Sequence, residues 1–126
     1  MKRLWIGVIV LVLVLAVGIG ITVAFHRLHQ PLAAKVEAAG MAALAGNWSQ
    51  AEEKLMSAKA DWEKIRHFTA AVADHEPLEE MDGLFVRLQV LARLKKVSDF
   101  AAECGQLATL ARAIAQSQAF TWWNLL

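Results

Sequence analysis

The chain is poor in the residues from which closed chemical sites are built. Its 126 residues include one cysteine, Cys104, which excludes an intrachain disulfide and any zinc site made of several thiolates and leaves the redox compartment open. No serine- or proline-rich stretch offers a flexible linker along which to divide the chain. An excess of one charge is also missing: setting aside Lys2 and Arg3, 11 basic residues face 12 acidic ones. Without a basic stripe there is no footprint for nucleic acid. Glycine-rich phosphate loops, the H-E-x-x-H zinc motif and the G-x-S-x-G nucleophile turn do not occur. At this length a second, catalytic domain has no room. The expectation is a chain that is not an enzyme and that holds no cofactor and no metal.

What it does have is apolar surface, 57% of its residues and a mean hydropathy of +0.39, concentrated at the N-terminus. From Leu4 to Phe25 run 22 residues without a charge, with Thr22 the one polar side chain. At about 1.5 Å per residue that crosses a hydrocarbon layer of about 30 Å. In lipid a backbone must satisfy its own hydrogen bonds, so the segment is predicted to be a helix despite its valines and glycines. Trp5 and Phe25 mark its two ends at headgroup depth. A cleaved secretory signal would also begin with Lys2 and Arg3, but the apolar run exceeds the usual length of about 7 to 15 residues and no A-x-A site follows, which favours an uncleaved signal anchor. Lys2, Arg3 and the amino terminus, set against Arg27 and Lys35, place the N-terminus in the cytoplasm and the rest of a single-pass cell-membrane protein outside. Ala16 and Gly20 form a small-x-x-x-small pair through which two anchors could meet as a homo-oligomer; the plainer reading is that small residues are common in apolar helices.

Beyond the anchor, residues 1–25, the pattern is helical throughout a domain at 26–118. Leu28, Leu32, Val36, Ala39 and Ala43 recur at spacings of three and four and predict a first helix over 27–45, with Pro31 either opening it or kinking a helix continuous with the anchor. Gly46 and Asn47 supply a stop and a cap. Trp48, Ala51, Leu55, Ala58, Trp62, Ile65 and Val72 define a second helix ending near Ala73, with Asn47 and Gln50, or Ser49 and Glu52, at capping-box spacing. A third helix is expected from Pro77 to Lys96 with Met81, Phe85, Leu88 and Leu91 inward. A fourth, capped by Ser98 or Asp99, carries Phe100, Cys104, Leu107, Ala111 and Ile114. Short connections make successive helices antiparallel, so the fold class is all-α: an N-terminal transmembrane helix followed by a small antiparallel helical-hairpin bundle. Gly46, Asn47, Trp48, Ala51, Leu55 and Ala58 also match part of a tetratricopeptide unit, which keeps a tetratricopeptide-like hairpin as the alternative to a generic one.

Chemistry has few places to sit. His26 and His29 are three apart beside the membrane with no third ligand within a turn, which reads as interfacial or solvated histidine more readily than as a metal site. Asp74, His75 and Glu76 are the densest polar triplet, and turn formation explains them without a substrate. Cys104, Trp48 and Trp62 read as core. The tail over 119–126 is too apolar for a solvated end, so Phe120, Trp122, Trp123, Leu125 and Leu126 form the candidate interaction surface, packed on the hairpins or turned to the membrane or a partner.

The opening Met1 to Gly7, the Gly46-Asn47-Trp48 turn followed by Ala51 and Trp62, the Asp74-His75-Glu76 segment and the closing Asn124, Leu125 and Leu126 together resemble the domain of unknown function 4363 family of small bacterial membrane proteins. The chain departs from that pattern at Pro77, where an aliphatic residue is usual, and around Gln116 to Gln118, where a proline-containing charged turn is usual. The resemblance implies a membrane anchor with a helical domain and transfers no catalytic or binding residue. The function expected from all of this is a membrane-bound, non-enzymatic module for an as yet unknown protein partner, touching lipid through residues 4–25. The alternative is a sensor or carrier that binds a small apolar or lipid ligand between hairpins near Trp48, Trp62 and Phe85.

Overall fold

The structure, a computed structural model, describes residues 1–72 and 75–125, and the side-chain surroundings of all of these but 25, 72 and 117–125. It consists of four helices, α1 (Lys2–Leu44), α2 (Trp48–Val72), α3 (His75–Arg93) and α4 (Val97–Leu125), with no strand among the described residues. Helix α1 is 43 residues long, about 65 Å at 1.5 Å per residue, and passes from the apolar segment into the bundle without a break. Pro31 lies inside it, so the alternative of a new helix opening there does not hold. The missing N–H leaves the Arg27 carbonyl without its intrahelical donor, a local loss that the packing of the following turns outweighs.

Those turns are where α1 becomes core. Leu32, Ala33, Val36, Ala39 and Ala43 are fully buried, while Leu28, expected inward, stays 39% exposed. Around them gather Ala51, Leu55, Ala58, Trp62 and Ile65 of α2, Leu78, Met81, Leu84, Phe85 and Leu88 of α3, and Phe100, Cys104, Leu107, Ala111 and Ile114 of α4. Helix α1 packs on α2 and α4, and α3 packs on the same two, so the helices form a closed ring rather than a line of stacked hairpins. The α1–α4 contact is close: a Cβ placed on Gly40 would stand 3.1 Å from the Cys104 Cβ.

Two turns of one design close the ring at the end away from the apolar segment. After α1, Gly46 adopts a left-handed φ of 81°, its N–H reaching the Ala43 carbonyl at 3.0 Å and that of Asn47 reaching Ala42 at 2.9 Å. This double bond to the last carbonyls is the usual helix stop that favours glycine. After α3 the same pair of bonds runs from Lys95 to Ala92 (3.2 Å) and Lys96 to Leu91 (3.1 Å), with Lys95 at φ 52°. This stop ends α3 at Arg93 rather than at Lys96. Helix α4 then begins at Val97, so Ser98 and Asp99 lie in its first turn instead of capping it. At α2 the expected cap forms, the Gln50 N–H meeting Asn47 Oδ1 at 3.2 Å. Helix α3 begins at His75, two residues before Pro77, whose missing N–H is harmless in a first turn where such donors have no intrahelical partner.

Candidate functional site

The side chains that join the helices are polar and form one link per neighbouring pair. Lys35 of α1 pairs with Asp61 of α2, Arg66 of α2 with Asp82 of α3 (2.8 Å), Arg87 of α3 with Glu103 of α4 (3.1 Å), and Arg112 of α4 with Glu37 of α1. Isolated pairs of this exposure contribute about 0 to 1 kcal/mol each, so the ring fixes register more than it stabilises. The α2–α3 link is richer. The indole N–H of Trp62, a side chain 2% exposed, donates to Asp82 Oδ1 at 2.7 Å while Arg66 Nε donates to Oδ2 at 2.9 Å. Burial acts to raise the Asp82 carboxyl, and the bonds from Arg66 and Trp62 outweigh it, holding the group below the usual carboxylate range.

The residues singled out from the sequence scatter. Cys104 is buried against Gly40, and burial pushes its thiol up to about 12, which makes it a small apolar residue and a poor nucleophile. His26 is exposed, whereas His29 is fully buried with its ring edge-on to Trp62 at 6.4 Å, so the two histidines do not share a solvated face. That corrects the reading of both as interfacial or solvated. His75 and Glu76 stand exposed at the start of α3, and Asp74 lies outside the described residues. No cluster of metal-ligating side chains occurs among the described residues. Trp48 packs edge-on to Phe100 at 5.3 Å, fourteen residues from Trp62, or about 21 Å along α2, so these tryptophans and the buried Phe85 do not line one hollow. The backbone of α4 continues to Leu125; the side chains of Phe120, Trp122, Trp123 and Leu125, and Leu126 as a whole, lie outside the described residues.

An apolar surface that periodicity did not single out lies on the outer face of α3. Val86, Val90 and Leu94 recur every four residues and are 59%, 48% and 60% exposed. Met56 of α2 joins their flank, its Sδ 3.8 Å from Gln89 Nε2. At about 100° per residue, Arg87 and Arg93 fall on opposite sides of this stripe, and the exposed Lys95 and Lys96 close its far end. The surface is therefore apolar, basic along its sides and far end, with the exposed Glu79 two turns before Val86 at its near end. Its signal was present in the sequence as a second valine-leucine stripe on α3, opposite the one formed by Met81, Phe85 and Leu88.

A groove of about 300 Å³ lies at the other end of the bundle, between α1 and α4, lined by Thr22, Val23, His26, Arg27, Ala115 and Gln116. Below it α1 is long and apolar enough to cross a membrane, and its side chains from Leu4 to Val14 are exposed. The family model for domain of unknown function 4363 (DUF4363) matches residues 21–125. Neither a curated protein nor a solved structure matches the chain.

Proposed function

The chain belongs to the domain of unknown function 4363 family, and from that premise we propose that it is a single-pass, membrane-tethered, non-enzymatic module that docks a protein partner. Its N-terminus lies in the cytoplasm and its bundle outside. The observation that carries this reading is the stripe of Val86, Val90 and Leu94 with its basic rim; among the described residues of the bundle most other large apolar side chains fold inward, with Met41, Leu44 and Phe68 exposed on other faces. An exposed apolar strip at i, i+4 and i+8 is the counterpart of an amphipathic helix, and Arg93, Lys95 and Lys96, which the ring of ion pairs does not use, select one whose apolar face is edged by carboxylates. The anchor supports the reading by confining the module to a surface, where a weak contact gains effective concentration.

The test is crosslinking of the full-length protein in cells, followed by membrane fractionation and mass spectrometry, comparing wild type with V86D/V90D and with a chain truncated after Ala119. One reproducible partner captured by wild type and lost from V86D/V90D is the expected result. Loss on truncation alone would move the docking surface to the tail; identical capture by all three would overturn the α3 surface.

A further inference from the structure

We propose that the groove between α1 and α4 binds the headgroup of an anionic phospholipid, a site that rests on the reading of α1 as membrane-spanning. Its depth is the first reason. Thr22 and Val23 are in the last turn of the uncharged segment, and Arg27 is the first residue after Arg3 to carry a formal charge. From 22 to 27 a helix rises about 7.5 Å, close to the roughly 5 to 8 Å of headgroup layer on each side of the hydrocarbon. The groove thus spans the depth at which a phospholipid changes from acyl chain to phosphate.

The lining changes character over the same distance. At the lower end the Thr22 hydroxyl is used within its own helix, donating to the Gly18 carbonyl at 3.0 Å, so the wall of Thr22, Val23 and Ala115 is apolar in effect and suits the start of an acyl chain. At the upper end Arg27 offers a planar fork of donors suited to phosphate, with the His26 imidazole and the Gln116 amide as further donors. No carboxylate lines the groove among the described residues. Lys35, Arg66, Arg87 and Arg112 each hold a carboxylate, whereas Arg27 makes no ion pair among the described residues. A phosphate diester with no cation of its own complements that charge. A choline headgroup, which brings its own cation, does so less well.

The test uses full-length protein in detergent, titrated separately with phosphatidylglycerol, phosphatidylcholine and free glycerol phosphate, with bound lipid counted by native mass spectrometry. Wild type is expected to bind phosphatidylglycerol in preference to phosphatidylcholine. Arg27→Gln should weaken it about ten-fold, the order expected for one charge-assisted hydrogen bond, and Val23→Trp should weaken it by filling the groove while leaving the charge. Arg27 and Val23 are exposed, and Lys54→Gln, near the far end at the start of α2, should bind as wild type does. Equal binding by Arg27→Gln, or equal binding of the two lipids, would overturn the site. Glycerol phosphate binding as tightly as the lipid would overturn it in favour of a plain phosphate site. Alkaline carbonate extraction separates this from the anchor: protein released from membranes sinks both readings, whereas protein retained in the membrane whose Arg27→Gln variant binds phosphatidylglycerol as wild type does sinks the groove alone.

Discussion

The two halves of α1 are one continuous helix and both are apolar, yet they are built for different surroundings. From Leu4 to Val14 large side chains cover every face and all are exposed. From His29 to Ala43 the buried residues keep to one stripe, many of them alanine, with Ala34 and Met41 outside it, while Lys35 and Glu37 on the other faces reach partners on α2 and α4. An all-round apolar helix has no side to give to water, whereas a striped one meets its own chain on one face and solvent on the other. The difference teaches that the distribution of hydrophobic residues around a helix, more than their number, states what surrounds it.

A charge placed in each half should break different things. Val36→Asp puts a carboxylate at a position with no exposure, and the expected cost of about 4 kcal/mol or more should abolish the cooperative thermal transition of the bundle while carbonate-resistant membrane association survives. Val12→Arg, on an exposed position, should do the reverse. Its cost falls on insertion, about 2.5 to 3.5 kcal/mol at the centre of a membrane helix, so membrane retention drops and the melting temperature in detergent holds. If Val12→Arg lowered the melting temperature as well, the bare half would be part of the folded unit and the contrast would fail.

The same contrast explains what could be read in advance. Leu32, Val36, Ala39, Leu55, Trp62, Phe85, Leu88, Phe100 and Leu107 were legible as core because a 3.6-residue period marks them, and each is buried. His29 was not, since an imidazole beside a membrane reads as polar until a ring such as Trp62 is packed against it. The continuity of α1 through Pro31 depends on tertiary contacts that outweigh one lost hydrogen bond, and a local rule offers only the two alternatives. The outer stripe of Val86, Val90 and Leu94 was hidden for the opposite reason: the inner stripe of Met81, Phe85 and Leu88 was read as core and is buried, but that α2 and α4 pack on that side alone and leave the outer stripe uncovered is a fact of tertiary packing.

Those links differ among themselves, and the α2–α3 one should weigh most. Asp82→Ala removes the acceptor of a buried indole N–H, a loss of about 1 to 3 kcal/mol, whereas Asp82→Asn keeps an oxygen for Trp62 and should cost less. Because the folded carboxyl titrates below its unfolded value of about 3.9, its contribution is complete above that pH and fades as pH falls through the lower, folded value. Urea midpoints of wild type and Asp82→Asn should therefore differ at neutral pH and converge in acid. Glu37, held low mainly by its bond from Arg112, should show the same sign with a smaller amplitude. No gap at any pH would mean that the Trp62 bond, which Asn keeps, and not the charge, carries the link; a gap that widened in acid would mean that the folded carboxyl titrates above its unfolded value.

The smallest expected effect distinguishes the two turns. They share one hydrogen-bond pattern, but the left-handed position is Gly46 in one and Lys95 in the other. A side chain in that conformation sets its Cβ against the following carbonyl at a cost of about 1 to 2 kcal/mol, partly offset because glycine loses more freedom on folding. Lys95→Gly should therefore raise stability by about 0.5 to 1 kcal/mol, and Gly46→Ala should lower it by about 1 kcal/mol or more, both read as shifts of the thermal midpoint in detergent. Space is not the issue at Gly46, since a Cβ there would meet nothing within 4 Å, so backbone strain is the whole effect. Lys95 also closes the end of the basic rim. If Lys95→Gly melts higher and crosslinks its partner less, the strained residue is held there by binding; if it melts higher and crosslinks unchanged, the rim does not extend beyond Arg87 and Arg93.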